Sequence, residues 1–153
     1  RADQIDPPVR VPGVLEAETL ERSTTGGATS VQRSAAWGFS NGQQVWWTGA
    51  SEGDTLRLVV PVEHAAQHDI ALGLTSAPDY ARLIVRFRQG DAVLTTEFDG
   101  FAPAGVEPAV LELGRLRLSP GDAVVEIQIV GSHPEATPSL MAGVDWVRLT
   151  PSS

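Results

Sequence analysis

Three histidines, a scatter of carboxylates and a small set of aromatic rings are the side chains in this 153-residue sequence that could do chemistry. His64 and His68 stand four apart, a spacing that pairs metal ligands on a helix. Here they flank a turn (EHAAQHD) between two strand-like runs, so they are expected to be solvated loop histidines. His133 precedes Pro134 in a polar loop and reads the same way. Asp54, Asp69, Asp91 and Asp122 lie in or beside turns, where Asp caps backbone donors. Glu126 alternates with apolar residues and is expected to face solvent. The sequence has no cysteine, which excludes thiolate nucleophiles, zinc–thiolate sites and disulfides. No phosphate loop, dinucleotide fingerprint or H-E-x-x-H run occurs. Nothing marks a pair of carboxylates held in a cleft, as glycoside hydrolysis requires. The chain therefore reads as non-catalytic.

The aromatic residues are four Trp, four Phe and one Tyr. Trp37 lies in AAWGFSNG beside Phe39, Ser40, Asn41 and Gln43. An indole among amides is a candidate stacking platform; the bland alternative is a ring that plugs a loop onto the core. Trp46 and Trp47 are adjacent on one strand and must face opposite ways, so one is core and the other is free to contact a ligand. Trp146, Phe87 and Phe98 sit on strands as core residues, and Phe101 reads as a loop anchor.

The elements that would position these residues are short strands. Val14 to Glu18 opens the series, followed by Ser30 to Arg33, Gln44 to Thr48, Thr55 to Val62 and Asp69 to Thr75. Ala81 to Arg88 and Ala92 to Phe98 flank a Gln-Gly-Asp turn. Val110 to Leu118, Ala123 to Val130 and Ala142 to Leu149 complete the set. Pro61 is expected at an edge or near a strand end, since it cannot donate to a ladder. No segment carries a helical period, and about ten short strands with regular turns predict an all-β antiparallel sandwich or barrel. Residues 1–13 (RADQIDPPVRVPG) lack an apolar core for a signal peptide and read as a Pro-rich linker; residues 14–150 form the domain, and 151–153 a tail. Such ends suit a module within a longer polypeptide.

Eleven basic residues stand against nineteen acidic, a net charge of −8. Nucleic acid and anionic membrane are poor partners for that surface. No apolar run approaches the roughly 20 residues that span a bilayer. Lack of cysteine does not place the chain in the cytosol, because exported domains also do without it.

VLEAE near the start and GVDWVRL near the end bracket the chain, with GQQVWWTGASEGDTLRLVVPVEHAAQHDIAL and APDY between them. This pattern resembles β-sandwich carbohydrate-binding modules of the family 6 and family 35 type, over Val14 to Leu149. The resemblance implies a jelly roll, a secreted or extracellular setting, an oligo- or polysaccharide ligand and a covalently linked catalytic domain. It also implies a structural calcium ion held by Glu16, Glu18 and Asp145. Read as strand residues, Glu16 and Glu18 share a face and repel unless a cation or basic group lies between them. Calcium takes 6–8 oxygen ligands in irregular geometry. An unpaired Asp145 inside an apolar run would be costly. The alternatives are a salt bridge from Arg33 or Arg148 and plain exposure. The implied ligand cleft draws on Trp37, Asn41 and Trp46, with Asp79 as a hydroxyl acceptor and Tyr80 as a second stacking ring. A structural accessory or oligomerisation domain of the same fold, binding no sugar, is the alternative function.

Overall fold

Period-two alternation carries through to the backbone. In the computed structural model, which describes residues 11–152, eleven strands form two antiparallel sheets. They are β1 (Leu15–Glu16), β2 (Arg22–Thr24), β3 (Ala28–Arg33), β4 (Gln43–Thr48), β5 (Thr55–Val62) and β6 (Ala66–Ser76), then β7 (Arg82–Gln89), β8 (Ala92–Asp99), β9 (Glu107–Leu118), β10 (Gly121–Gly131) and β11 (Ala142–Pro151). One sheet runs β3-β4-β11-β6-β9, with β1 also paired to β11; the other runs β2-β5-β10-β7-β8. The eight strands β4-β11-β6-β9 and β5-β10-β7-β8 interleave as two Greek keys, which is a jelly roll.

The core lies between the sheets. Leu56, Leu58 and Val60 of β5, Val125, Ile127 and Ile129 of β10, and Val85 and Phe87 of β7 point inward from one sheet. Val45 and Trp47 of β4, Ile70, Leu72 and Leu74 of β6, and Val144 and Val147 of β11 meet them from the other. The indole N–H of Trp47 donates to the Gly26 carbonyl at 2.9 Å, so this ring is fully buried with its polar atom satisfied. Pro61 stands one residue before the end of β5, past the stretch paired with β2.

The chain departs from the sequence reading at several places. The opening strand is only two residues long; Ala17–Thr19 turn as a 3₁₀ segment, so strand alternation does not put Glu16 and Glu18 on one face. β2 carries no apolar alternation and is legible only from its pairing with β5. β6 begins at Ala66, three residues earlier than the pattern suggests, and buries His68, whose Nδ1 meets the Ala66 carbonyl at 2.9 Å. His68 is thus a strand residue rather than a solvated one. The expected tail is partly strand, because β11 continues through Pro151 and Ser152 N–H donates to the Gln67 carbonyl. Residues 1–10 of the expected linker, and Ser153, lie outside the described residues. Among the described residues no helix is long and apolar enough to cross a membrane.

Candidate ligand pocket and carboxylate cluster

Strand β4 turns Val45 and Trp47 into the core, so Gln44 and Trp46 stand on the outer face of their sheet. On β3, Gln32 pairs with Gln44 and Ser30 with Trp46. Three connections close over this patch. Segment 77–81 leaves β6, segment 100–106 leaves β8, and segment 132–141 enters β11. They are tied together by bridges between Ala77 and Phe101 and between Tyr80 and Met141, and by the bond from Thr137 N–H to the Pro78 carbonyl at 3.0 Å. Phe101 stacks on His133 with ring centroids 4.3 Å apart, which anchors two of these loops to each other.

The result is a pocket of about 370 Å³, mainly apolar, lined by Gln32, Trp37, Trp46, Ala77, Pro78, Asp79, Tyr80, Val106, Thr137 and Met141. Four of the five residues expected to contact a ligand are therefore brought together: Trp37, Trp46, Asp79 and Tyr80. Trp37 stands on the rim, 38% exposed, supported edge-on by the buried Phe39 at 5.8 Å and 73°. An exposed indole braced by a buried ring presents a fixed flat surface. Trp46 is half-buried in the wall, and its indole N–H is buried with no acceptor.

Tyr80 differs from its expected role. It is only 5% exposed, and its hydroxyl oxygen accepts from Gln44 Nε2 at 3.2 Å. Burial pushes its phenol up to about 12, with the Asp79 charge adding to the rise against the opposing effect of the Gln44 bond. It is a proton-bearing member of the pocket floor rather than a free stacking face. Asn41 does not line the pocket. Its backbone is left-handed (φ 54°), a conformation Asn tolerates better than most residues, and it turns the chain between Ser40 and Gly42.

The sequence reading missed the amide network beneath the pocket. Thr75 Oγ donates to Gln44 Oε1 at 2.5 Å, and Gln44 Nε2 donates to Gln32 Oε1 at 2.7 Å. Gln44 reaches Thr75 across β11 because Gly143 lies between them; a Cβ there would collide with the Gln44 amide. The available signal was the i, i+2 spacing of Gln44 and Trp46 on one strand face.

A second constellation lies where β1 and β4 meet β11. Asp145 sits at an irregularity in β11, between Val144 and Trp146, and is 4% exposed. Its Oδ2 accepts from the Ser40 N–H at 2.8 Å, while Ser40 Oγ donates to Glu16 Oε1 at 2.6 Å. Burial pushes the Asp145 carboxyl up to about 7; the Ser40 N–H opposes the rise, and the charges of Glu16 and Glu18 add to it. Neither expected arginine answers this charge: Arg148 pairs with Glu112 at 3.2 Å and lies over the Trp146 ring, and Arg33 is exposed. Glu16 Oε2 and Asp145 Oδ1 are buried with no hydrogen-bond partner. Two buried, unpaired carboxylate oxygens form a hard donor set of the kind that suits an oxygen-seeking cation. Among the described residues, however, no three His, Asp or Glu side chains converge tightly enough to make a ready-formed metal shell.

No family model and no curated protein matches the sequence. Solved structures do match by shape. A Paenibacillus xanthan lyase superposes with a TM-score of 0.77 at 16% identity, over 95% of this chain and 14% of the lyase. The family 61 carbohydrate-binding module TmCBM61, in complex with β-1,4-galactotriose, superposes with a TM-score of 0.59 at 11% identity, over 90% of this chain and 91% of that one. A family 6 carbohydrate-binding module superposes with a TM-score of 0.57 at 12% identity, over 97% of this chain and 100% of that one. The chain spans about a seventh of the lyase, and its fold is the β-sandwich of carbohydrate-binding modules.

Proposed function

We propose that this domain binds carbohydrate without transforming it, and serves a secreted, glycan-active enzyme to which it is covalently joined. The observation that carries the reading is the pocket, where an exposed, braced Trp37 shares the lining with hydrogen-bonding groups from Gln32, Asp79 and Tyr80. A pyranose offers an apolar C–H face to an indole and hydroxyls to amides and carboxylates. Asp79, in the pocket lining, offers carboxylate oxygens that accept from sugar hydroxyls. A module of this kind raises the local concentration of polysaccharide around its partner domain. The fold shared with two carbohydrate-binding modules supports the same reading.

We also propose a structural calcium ion at Glu16 and Asp145, with Glu18 nearby. Bound there, it would neutralise two buried carboxylates and join β1 to β11. Ligands that bind only the folded state raise its stability. Calcium should therefore raise the melting temperature and EDTA lower it. An indifferent melting curve, or one that still responds in Asp145→Ala, sinks the calcium proposal.

The ligand test is calorimetric titration against a panel of oligosaccharides. Dissociation constants should lie on the order of 10 µM to 1 mM, because bound hydroxyls exchange one set of hydrogen bonds for another. Loss of one stacking ring costs about 1 kcal/mol or somewhat more. Trp37→Ala should weaken binding about tenfold with little change in melting temperature. Failure of a broad panel to bind would hand the function to the structural-accessory alternative.

A further inference from the structure

The direction of the hydrogen bonds under the pocket carries information about its ligand. Thr75 donates to Gln44 Oε1, so the amide nitrogen of Gln44 faces Gln32 Oε1 and the Tyr80 oxygen. The acceptor oxygen of Gln32 is thereby occupied, and its own NH₂ remains to be given. Tyr80 likewise accepts from Gln44 and keeps a proton to donate, since its phenol stays protonated through the physiological range. Asp79 supplies two acceptor oxygens, which suit a pair of neighbouring hydroxyl groups.

No basic side chain lines the pocket among the described residues. The sequence has no lysine, so no flexible ammonium can swing in. Four of the arginines are committed to ion pairs with residues outside the lining: Arg82 to Asp99, Arg88 to Glu126, Arg115 to Asp69 and Arg148 to Glu112. A carboxylate or sulfate entering the pocket would meet the Asp79 charge in a mainly apolar surround, with no cation among the described lining residues to answer it. Like charges placed together at an interface are strongly disfavoured.

From this we infer that the pocket selects uncharged glycan, holding a hydroxyl pair at Asp79 and a ring face on Trp37, and rejects uronate and sulfated sugars. The inference deepens the carbohydrate-binding reading and rests on it.

The test is titration of the domain with neutral β-linked hexo-oligosaccharides and with the same compounds oxidised at C6 to uronates, at low and at physiological ionic strength. The neutral members should bind with affinity insensitive to salt. Oxidation should weaken binding about tenfold or more, and most strongly at low salt, where the Asp79 charge is least screened. Asp79→Asn should lower neutral affinity several-fold while narrowing the gap between neutral and oxidised ligands. A merely structural role for Asp79 would not move that gap. Uronates that bind as well as or better than their neutral parents overturn the selectivity and leave carbohydrate binding intact. So does an unchanged gap in Asp79→Asn. If neither class binds, the carbohydrate-binding reading itself falls.

Discussion

Ser40 joins the two constellations. Its N–H holds Asp145, its hydroxyl holds Glu16, and that hydroxyl also accepts from the Val11 N–H at 2.8 Å. The preceding residue, Phe39, braces Trp37. The carboxylates thus fix the segment that carries the stacking ring. The ionisation of Asp145 sets a pH dependence for the metal-free domain. Burial moves the Asp145 carboxyl from the ordinary 3.8 of a free aspartate to about 7 in the fold, so the folded state binds the extra proton between those limits. Stability should therefore fall as pH rises from about 4 through about 7, by up to a few kcal/mol. Denaturant unfolding in EDTA should show that decline. Asp145→Asn, which keeps an acceptor for Ser40 without the charge, should flatten it; a slope that survives in the variant assigns the effect to other groups. At this scale the sequence was only partly legible. Trp37, Trp46 and Asp79 could be picked from residue type and setting. Tyr80 could not be told from a free ring, because its burial depends on Gln44, thirty-six positions away and on another element.

At the scale of elements, β11 organises the molecule. It pairs with β4, β6 and β1, and its irregularity after Val144 aims Asp145 at Ser40. Trp146, on the next position, lies against the backbone of Gly73 in β6, where a Cβ would stand inside the indole. Gly73→Ala should push the ring out and destabilise the domain by roughly 1–3 kcal/mol, as overpacking does. Urea unfolding of Gly73→Ala and of Gly73→Ala with Trp146→Leu checks the cause: the smaller partner should make the alanine markedly less harmful, and equal losses in both backgrounds would contradict the contact. Alternation located β5, β7, β8 and β10 to within two residues, since one face of each turns toward the core, half-buried in β8, and the other toward solvent. It failed at β1, where a 3₁₀ turn at Ala17 mimics strand spacing. It failed again at the start of β6, where His68 is buried although its neighbours are polar.

The whole molecule is built from distant pairings. Leu15 lies against Val147, β2 against β5, and β6 against β9. Loop closure must precede most of the burial, so refolding should take milliseconds to seconds in stopped-flow measurements, and a microsecond phase completing the fold would contradict this topology. The jelly-roll order was legible only through the resemblance of the terminal strands, because alternation states which face is buried and not which strand is the neighbour. The same architecture distributes four indoles among different surroundings. Trp47 is sealed in the core with its N–H bonded, Trp146 is covered by Arg148, Trp46 is half-buried in the pocket wall, and Trp37 stands at the rim. The intrinsic fluorescence of the domain is therefore composite, with a blue component from the sealed rings and a red-edge component from Trp37, so that an occupant of the pocket alters the red edge while the sealed rings serve as an internal reference in the same spectrum.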